Sequence, residues 1–346
     1  MFQWMVNLSD NEIEVGCIGS CNMDVIMEVN DVIRFEMFEK QTIKKYTAIE
    51  YSTKLNVEHL KFAPGGSAAN VSVDLTHLDG TTTAYIGKMG NDFMGQECIS
   101  DLKKHGVNTD GILHTNVERT GLAVILITPY GKDRSILAHK GANNLIQPNE
   151  LNLDVLDKCK SLIWTSLTSE SGIKTIQKAI TYMKEQNKPV YAAPSISILR
   201  NQAKEARKLV EQSDLLSLNI EELEALTGQS NIYAGLEEVC CNGPKIIAVT
   251  NGKEGSYITD GNEVIEAETF EVDVKDTTGA GDAFVSGLIY GLRRNHKMED
   301  MIKFASAFSA FECMVLGVRE GFPNKTIEVI NYINSNPLPL KHRKLK

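Results

Sequence analysis

The sequence predicts an α/β fold: a central, mostly parallel β-sheet flanked by helices, with a small β-sheet lid. From residue 161 onward, short apolar runs alternate with helical patterns, which is typical of a parallel sheet covered by helices. Residues 25–62 show weak alternation and no helical stretch, and residues 117–140 also read as strands, so we interpret both as inserted lid segments. No linker or repeat divides the chain. We therefore expect one domain over 14–335, with terminal extensions at 1–13 and 336–346.

Composition limits the function classes. The chain has 346 residues, of which 42% are hydrophobic, and this is ordinary for a protein with a sizeable core. Its formal net charge is −9, which argues against nucleic acid as a partner. The basic run at 341–346 is interpreted as a solvated tail. The seven cysteines show no metal or redox spacing, and neither a signal peptide nor an apolar run of transmembrane length occurs. We therefore expect a cytoplasmic protein without a membrane partner.

The first predicted strand covers residues 15–19 and is followed by two polar residues, Asn22 and Asp24. In open α/β sheets, ligands bind just beyond the carboxyl ends of the strands. These side chains are therefore candidates for ligand binding, although each could equally be an ordinary turn residue.

The stretch from Pro64 to Ser72 contains a second candidate site. Gly65 and Gly66 allow a tight turn and a close backbone approach before a predicted helix. Asn70 lies about one turn into that helix, where its intrinsic propensity is unfavourable. A carboxamide there is better explained by a hydrogen bond to a ligand hydroxyl than by helix formation.

The remaining elements follow in order. A strand at 83–87 and a helix at 96–105 precede a predicted hairpin, with strands at 121–128 and 135–139 and a turn at 129–131. Further strands are predicted at 161–165, 190–193, 215–218, 246–250 and 255–258, and further helices at about 172–186, 200–212, 220–227, 234–242, 280–293, 298–315 and 325–335.

The most specific stretch of the chain is residues 276–284, which read DTTGAGDAF and open a predicted helix. The first N–H groups of a helix have no intrahelical partner and bind anions, and Gly279 and Gly281 let the backbone approach a ligand. Asp282 would repel a resting phosphate. A carboxylate is suitable there if it accepts the proton of a hydroxyl group that attacks the phosphate.

This string resembles the C-terminal signature of the PfkB carbohydrate kinases, the ribokinase-like family, and residues 64–72 resemble the N-terminal signature. Other matching strings are the glycine turn at 87–95, Gly141-Ala142-Asn143 and the closing segment 317–323. The resemblance spans about residues 14–335. It implies a ribokinase-like fold and an ATP-dependent transfer of the γ-phosphoryl group to a hydroxymethyl group of a sugar.

The resemblance also implies roles for individual residues. Asp282 is the expected catalytic base, and the N–H groups of Gly279, Ala280 and Gly281 would stabilise the transferring phosphoryl group. The expected acceptor-binding residues are Asn22, Asp24, Gly65, Gly66, Asn70, Asn143 and Asp282. The expected nucleotide-binding residues are Asn219, Thr250, Gly252, Gly255, Thr277, Gly279, Gly281, Ser309 and Gly317.

The expected cofactors are ATP and Mg²⁺, with K⁺ as a further candidate. The resemblance implies that Glu222 orders waters on magnesium and that Asp276 donates a ligand to a monovalent cation. Asn219 and Glu222 also have the spacing of a helix capping box, and both interpretations can hold together.

Several alternatives remain at this point. A nucleoside kinase would need an aromatic platform, for which Phe35, Phe38 or Tyr51 are candidates, whereas a sugar-phosphate kinase would need a basic clamp. The candidates for that clamp are Lys88, Arg134 and Lys140. A non-catalytic nucleotide-binding regulator is the third alternative.

Two further expectations concern the acceptor and the assembly. The family often places an acid after the strand at 161–165, but residues 164–168 read WTSLT, which disfavours ribose itself. We also expect a homodimer through the lid, because its sheet edges would otherwise be open.

Overall fold

The computed structural model describes residues 12–39, 42–129, 134–241, 243–315, 317–319, 321–322 and 326–345. Its strands are β1 (Val15–Ile18), β2 (Asn22–Glu28), β3 (Ile33–Glu39), β4 (Thr42–Ala48), β5 (His59–Gly65), β6 (Thr83–Gly90), β7 (Asn108–Thr115), β8 (Gly121–Ile127), β9 (Arg134–His139), β10 (Leu162–Thr165), β11 (Val190–Ala193), β12 (Leu215–Asn219), β13 (Ile246–Thr250), β14 (Ser256–Thr259), β15 (Glu263–Ala267) and β16 (Leu340–Lys344).

The α-helices alternate with these strands over most of the chain. They are α1 (Ser67–Thr76), α2 (Phe93–Lys104), α3 (Leu153–Lys158), α4 (Glu170–Glu185), α5 (Ile196–Asn201), α6 (Ala203–Glu211), α7 (Ile220–Thr227), α8 (Ile232–Cys240), α9 (Ala280–Arg293), α10 (Met298–Cys313) and α11 (Thr326–Ser335). None of the helices in the described ranges is both long enough and apolar enough to cross a membrane.

The described strands form one large sheet and two small ones. The large sheet has the order β16-β15-β14-β13-β12-β11-β10-β1-β6-β7. Its strands from β7 through β13 pair in parallel, and β14, β15 and β16 continue it in antiparallel fashion. This arrangement confirms the predicted ribokinase-like α/β fold with a mostly parallel central sheet.

The core lies in two layers, one on each face of the large sheet. Side chains of neighbouring strand residues point to opposite faces, so Cys17 and Ile18 of β1 enter different layers. One layer contains apolar side chains of α1, α2, α9 and α10, and the other contains those of α3 to α8. Both faces are therefore covered, as a parallel sheet requires.

The small sheets are built from the two segments that the sequence analysis assigned to a lid. One has the order β5-β2-β8-β9, and the other is the β3–β4 hairpin. β8 and β9 pair in antiparallel fashion, as predicted for a hairpin, while the centre of its turn lies outside the described residues.

Three strands differ from the sequence-based expectation. β7 and β15 were not predicted. The basic C-terminal run was expected to be a solvated tail, but its residues form β16, which pairs with β15 from Leu340↔Ala267 to Lys344↔Glu263. The expectation failed because backbone pairing at a sheet edge does not require apolar side chains, and those of 341–344 remain exposed.

Candidate active site

The candidate site forms where β2 and the N-terminal ends of α1 and α9 meet. Gly66 caps α1 with φ of 96°, in the region that favours glycine. A Cβ atom on Gly66 would lie 2.6 Å from Cys21 Cα, and one on Gly65 would lie 2.2 Å from Asp24 Oδ2. The two glycines therefore allow the start of β2 to pack directly against the turn before α1.

Asp282 lies in the first turn of α9, where α1 supplies its hydrogen-bond partners. Ser67 Oγ donates to Asp282 Oδ1 at 2.5 Å, and Asn70 Nδ2 donates to Oδ2 at 2.8 Å. The structure thus joins the two predicted signature segments at one carboxylate, 212 residues apart in the Asn70 pair. Removal from water raises the pKa of Asp282 to about 6, although both hydrogen bonds and the charge of Arg319 act to lower it.

Asn22 and Asp24 form a second polar group near Asp282. Asn22 Nδ2 donates to Asp24 Oδ1, and Asp24 is buried. Burial raises the pKa of Asp24 to about 7, and the negative charge of Asp282 acts in the same direction. Arg319 and the Asn22 amide oppose that rise. Two carboxylates and two carboxamides, those of Asn22 and Asn70, therefore face one region, and this set of groups suits an acceptor rich in hydroxyl groups.

The turn before α9 is fixed by hydrogen bonds to the Asp276 carboxylate. Gly279 is the N-cap of α9 with φ of 81°. Asp276 Oδ1 accepts hydrogen bonds from Thr278 N at 2.9 Å and Thr278 Oγ1 at 2.6 Å, while its Oδ2 accepts one from Gly317 N at 3.1 Å. Asp276 therefore connects the turn to the segment after α10.

Other parts of this turn differ in how accessible they are. Ser309 Oγ donates to Ala280 O at 2.8 Å, which places it behind the helix start. Gly281 is exposed, and no heavy atom within 4 Å would meet a Cβ atom added there. The open side of the turn is thus at Gly281, and Thr277 before the turn is also exposed.

Glu222 and Asn219 form the capping box that their spacing predicts. Asn219 Oδ1 accepts from Glu222 N, and Glu222 Oε2 accepts from Asn219 N, both at 2.9 Å. Glu222 Oε1 also accepts from Ile196 N at 3.1 Å. Removal from water raises the pKa of Glu222 to about 7, with the charge of Asp282 contributing to the rise.

The segment after β13 lies beside Asn219. Thr250 pairs with Asn219 across β12 and β13. Gly252 and Gly255 have φ of 54° and 97°, and Asn251 N donates to Gly255 O at 2.8 Å. The segments expected to contact the nucleotide therefore end at the same edge of the sheet.

Two sequence-predicted residues, Asn143 and Lys88, have side chains that already contact other parts of the protein. Asn143 Oδ1 accepts from Cys21 N at 3.0 Å, and its Nδ2 donates to Cys21 O at 2.9 Å and Lys140 O at 3.0 Å. Asn143 thus fixes the loop before Asn22. Lys88 Nζ contacts the Glu150 carboxylate at 2.6 Å and is buried, so this ammonium group is already paired.

Sequence reasoning missed Ser67 and Arg319. Arg319 Nε donates to Asn70 Oδ1 at 3.0 Å. Ser67 follows the Gly-Gly pair, so its position in the N-terminal signature was the available signal. Arg319 lies in the closing segment 317–323, but that segment alone does not indicate its role, because its side chain contacts residues more than 200 positions away.

The chain is similar to known proteins in sequence and in fold. The family model described as "pfkB family carbohydrate kinase" matches residues 13–325. The chain is 31% identical over 248 residues to an uncharacterized sugar kinase of Archaeoglobus fulgidus, covering 70% of this chain and 96% of that protein. It is 30% identical to a fructokinase of Solanum tuberosum, covering 76% and 84% respectively. A putative ribokinase II from E. coli superposes with a TM-score of 0.80 at 20% identity, covering 94% of this chain and 100% of that chain.

The fold, the two signature segments meeting at Asp282 and the match over residues 13–325 lead to one identification. The chain belongs to the PfkB carbohydrate kinase family, and it is a phosphotransferase that uses an alcohol group as acceptor.

Proposed function

We propose that the chain transfers the γ-phosphoryl group of ATP to a hydroxymethyl group of a free ketohexose such as fructose. The observation that carries this proposal is the Asp282 carboxylate, held by Ser67 and Asn70 at the start of α9. Several relatives named fructokinase, at 28–30% identity, support the choice of acceptor.

In the proposed reaction, Asp282 accepts the proton of the acceptor hydroxyl group as its oxygen bonds to the γ-phosphorus atom. The bond from that phosphorus to the bridging oxygen breaks, and ADP leaves. The N–H groups of Gly279, Ala280 and Gly281 stabilise the charge on the phosphoryl oxygens. Acceptor hydroxyl groups are held by Asn22, Asp24 and Asn70 and by the backbone at Gly65 and Gly66. Asn143 supports this group by fixing the loop that carries Asn22.

The nucleotide is assigned to the opposite side of the helix start. Exposed Gly281 and the positive φ of Gly279, Gly252 and Gly255 support a backbone-lined phosphate site. The residues proposed to line it are Asn219, Thr250, Gly252, Gly255, Thr277, Gly279, Gly281, Ser309 and Gly317. Mg²⁺ would neutralise phosphate charge, and Glu222 would order its waters. K⁺ near Asp276 is part of the same proposal, and equal turnover in KCl and tetramethylammonium chloride would exclude it.

The test is ADP release from Mg-ATP with a panel of acceptors: fructose, ribose, fructose 6-phosphate, adenosine, inosine and cytidine. We expect turnover with fructose. Asp282→Asn should lower kcat about 10²- to 10⁴-fold, the usual contribution of a general base, with ATP affinity nearly unchanged. Asp154→Asn, at an exposed position of α3, is the matched control. Near-normal turnover of Asp282→Asn would remove Asp282 from the role of base.

One alternative acceptor class has specific support. Phe35 and Tyr46 stack on the β3–β4 hairpin, with ring centroids 5.2 Å apart, and Phe35 is exposed. An aromatic surface of this kind suits a nucleobase, so turnover with a nucleoside and none with fructose would favour a nucleoside kinase. A sugar-phosphate acceptor has less support, since Lys88 is paired with Glu150.

A further inference from the structure

Arg319 is a buried cation that connects distant parts of the chain behind the candidate site. Its side chain is 3% exposed. Nη1 donates to Asp101 Oδ2 at 2.5 Å, Nη2 donates to Gly65 O at 3.2 Å, and Nε donates to Asn70 Oδ1 at 3.0 Å. Its backbone N–H donates to Glu312 Oε1 at 3.1 Å. The guanidinium group therefore contacts the end of β5 and the first turn of α1, two of the elements that carry the proposed acceptor-binding residues.

The contact with Asn70 determines which way that amide faces. An amide group has an acceptor end and a donor end of nearly the same shape. Since Oδ1 accepts from Arg319, Nδ2 must face Asp282, to which it donates at 2.8 Å. A reversed amide would bring its NH₂ group against a guanidinium donor and its oxygen against a carboxylate, and both contacts are repulsive.

We infer that Arg319 is a positioning residue for phosphoryl transfer: it fixes the Asn70 amide and, through it, the Asp282 carboxylate. The inference rests on the proposed function, in which Asp282 is the base. Arg319 does not contact the reacting atoms in this mechanism. It acts through the Asn70 amide and through its positive charge.

The backbone conformation of Arg319 indicates that its hydrogen bonds hold this residue in place. Its φ is 71°, in the left-handed region that residues with a side chain rarely adopt. Such a conformation is strained and persists where the surrounding contacts determine it. Here, the hydrogen bonds of the guanidinium and of the Arg319 N–H group supply those contacts.

The charge of Arg319 acts on the same carboxylate. It lowers the pKa of Asp282 and of Asp24, against the effect of burial. Acidic groups from several elements interact with Asp282 and share this environment: Asp24 on β2, Asp74 on α1, Glu222 on α7 and Glu312 on α10, while Asp276 lies near Asp24 and Glu312. Removing the cation should therefore make Asp282 accept its proton at a higher pH.

The test compares Arg319→Met with the control Arg207→Met. Arg207 lies on α6, and its guanidinium group pairs with the Glu238 carboxylate at 3.0 Å. For each variant, kcat and kcat/KM are measured from pH 5 to 9 with Mg-ATP and the acceptor found in the panel. Arg319→Met should lower kcat about 10- to 100-fold. It should also move the acid limb of the pH–rate profile, where activity falls at low pH, to a higher pH by about 0.5–1 unit. Arg319→Lys keeps the charge, so it should leave the limb in place and recover part of kcat. Arg207→Met should leave both unchanged, whatever its effect on Tm.

If Arg319→Met does not fold, Arg319→Lys and Asn70→Ala carry the test as a double-mutant cycle. The inference expects strong non-additivity in kcat, because both changes act on one contact. Additive effects would overturn it, as would Arg319→Met with an unmoved acid limb or a kcat within about threefold of wild type. Asp282→Asn distinguishes a failure of the proposed function from a failure of the positioning role. If this variant retains turnover, Asp282 is not the base. If it loses turnover while the Arg319 variants behave like the control, only the positioning role fails.

Discussion

At the Asp282 carboxylate, burial and hydrogen bonding act on the pKa in opposite directions. Burial dominates and raises the pKa to about 6, while Ser67, Asn70 and Arg319 limit the rise. A carboxylate with this pKa is ionised at neutral pH and is still a stronger base than an exposed aspartate. Because the ionised form is the proposed base, turnover should increase as pH rises through about 6.

Replacing Ser67 with alanine should shift this titration. Ser67 Oγ donates to the charged form of Asp282, so its loss raises the pKa further. We expect the acid limb of kcat/KM to move upward by about 0.5 pH unit, while turnover on the alkaline plateau changes less. The measurement is a pH profile with saturating ATP.

The control for this variant is Ser286→Ala on α9. Ser286 Oγ donates to the backbone oxygen of Asp282 at 2.8 Å and not to its carboxylate. Ser286 is buried and Ser67 is half-buried, so the structural cost of removing Ser286 should be at least as large. A limb that moves equally in both variants would show that the effect is not carried by the hydrogen bond from Ser67.

Local sequence was sufficient for some site residues and not for others. Asp282 and Asn70 could be singled out because each violates a local preference: a carboxylate at an anion site and an asparagine inside a helix. Arg319 violates no preference that can be detected in the sequence alone. Its importance arises from contacts with Gly65, Asn70 and Asp101, which only the tertiary structure brings together.

Some secondary-structure elements can likewise be predicted from local sequence, whereas others depend on a pairing partner in the tertiary structure. The predicted strands at 161–165 and 190–193 match β10 and β11 closely, since buried parallel strands are continuous apolar runs bounded by turn residues. β7 includes Asn108 and Asp110, residues with low strand preference, and it forms because β6 offers a parallel partner. β16 is polar for a similar reason, and its pairing partner determines its conformation.

The C-terminal strand β16 should stabilise the protein without contributing to the site. It covers the edge of β15, and its side chains make peripheral contacts: His342 with Glu263 at 3.2 Å, and the guanidinium of Arg343 over the Tyr233 ring at 4.1 Å. Deleting residues 340–346 exposes the backbone groups of β15. We expect Tm to fall by several degrees, with kcat and KM within about twofold of the full chain.

A variant that keeps the strand separates backbone pairing from charge. Lys341→Gln with Arg343→Gln removes two charges of β16 and leaves its hydrogen-bonded ladder in place. Exposed ion pairs contribute little, so this double variant should lose less Tm than the deletion does. An equal loss would assign the stabilisation to the charges, and an unchanged Tm after deletion would contradict any role for the strand.

The stability of the whole molecule should depend on several carboxyl groups around the candidate site, whose pKa values are raised by burial. Removal from water raises those of Asp24 and Glu222 to about 7, that of Asp282 to about 6 and that of Glu312 well above its usual range. In each case, the folded state binds a proton more tightly than the unfolded chain does. Their contribution to stability is therefore fully present at pH below about 4 and is lost as pH rises through 6 to 8.

The free energy of unfolding should consequently decrease between pH 5.5 and 8.5. His77 and Asp101 have lowered pKa values and act in the opposite direction, since each loses stabilisation as the pH falls below its usual pKa. Urea unfolding at a series of pH values measures this dependence. Glu312→Gln removes one titrating group and should flatten the slope, whereas a stability that rises steadily to pH 8.5 would contradict the argument.

The four-stranded sheet carries a row of apolar residues that bears on the assembly of the protein. Phe62, Val25, Val124 and Leu137 are paired in one row across β5, β2, β8 and β9. Phe62 is 58% exposed and Leu137 is 62% exposed, and Leu60 beside them is 56% exposed. Val25 within the row is buried, whereas the apolar side chains at its two ends are exposed. Exposed apolar side chains on an open sheet are typical of an interaction surface. We propose that two copies of the chain pair through it.

Light scattering at micromolar concentration should then give twice the mass of the chain. Phe62→Asp with Leu137→Asp should convert the dimer to a monomer, because each charge would have to be buried in the interface. Ile327→Asp, at an exposed apolar position on α11 outside the small sheets, is the matched control and should remain dimeric. A monomeric wild-type protein would exclude this assembly. A dimer that survives the double variant would assign it to another surface, since neither buried aspartate could be tolerated at the proposed one.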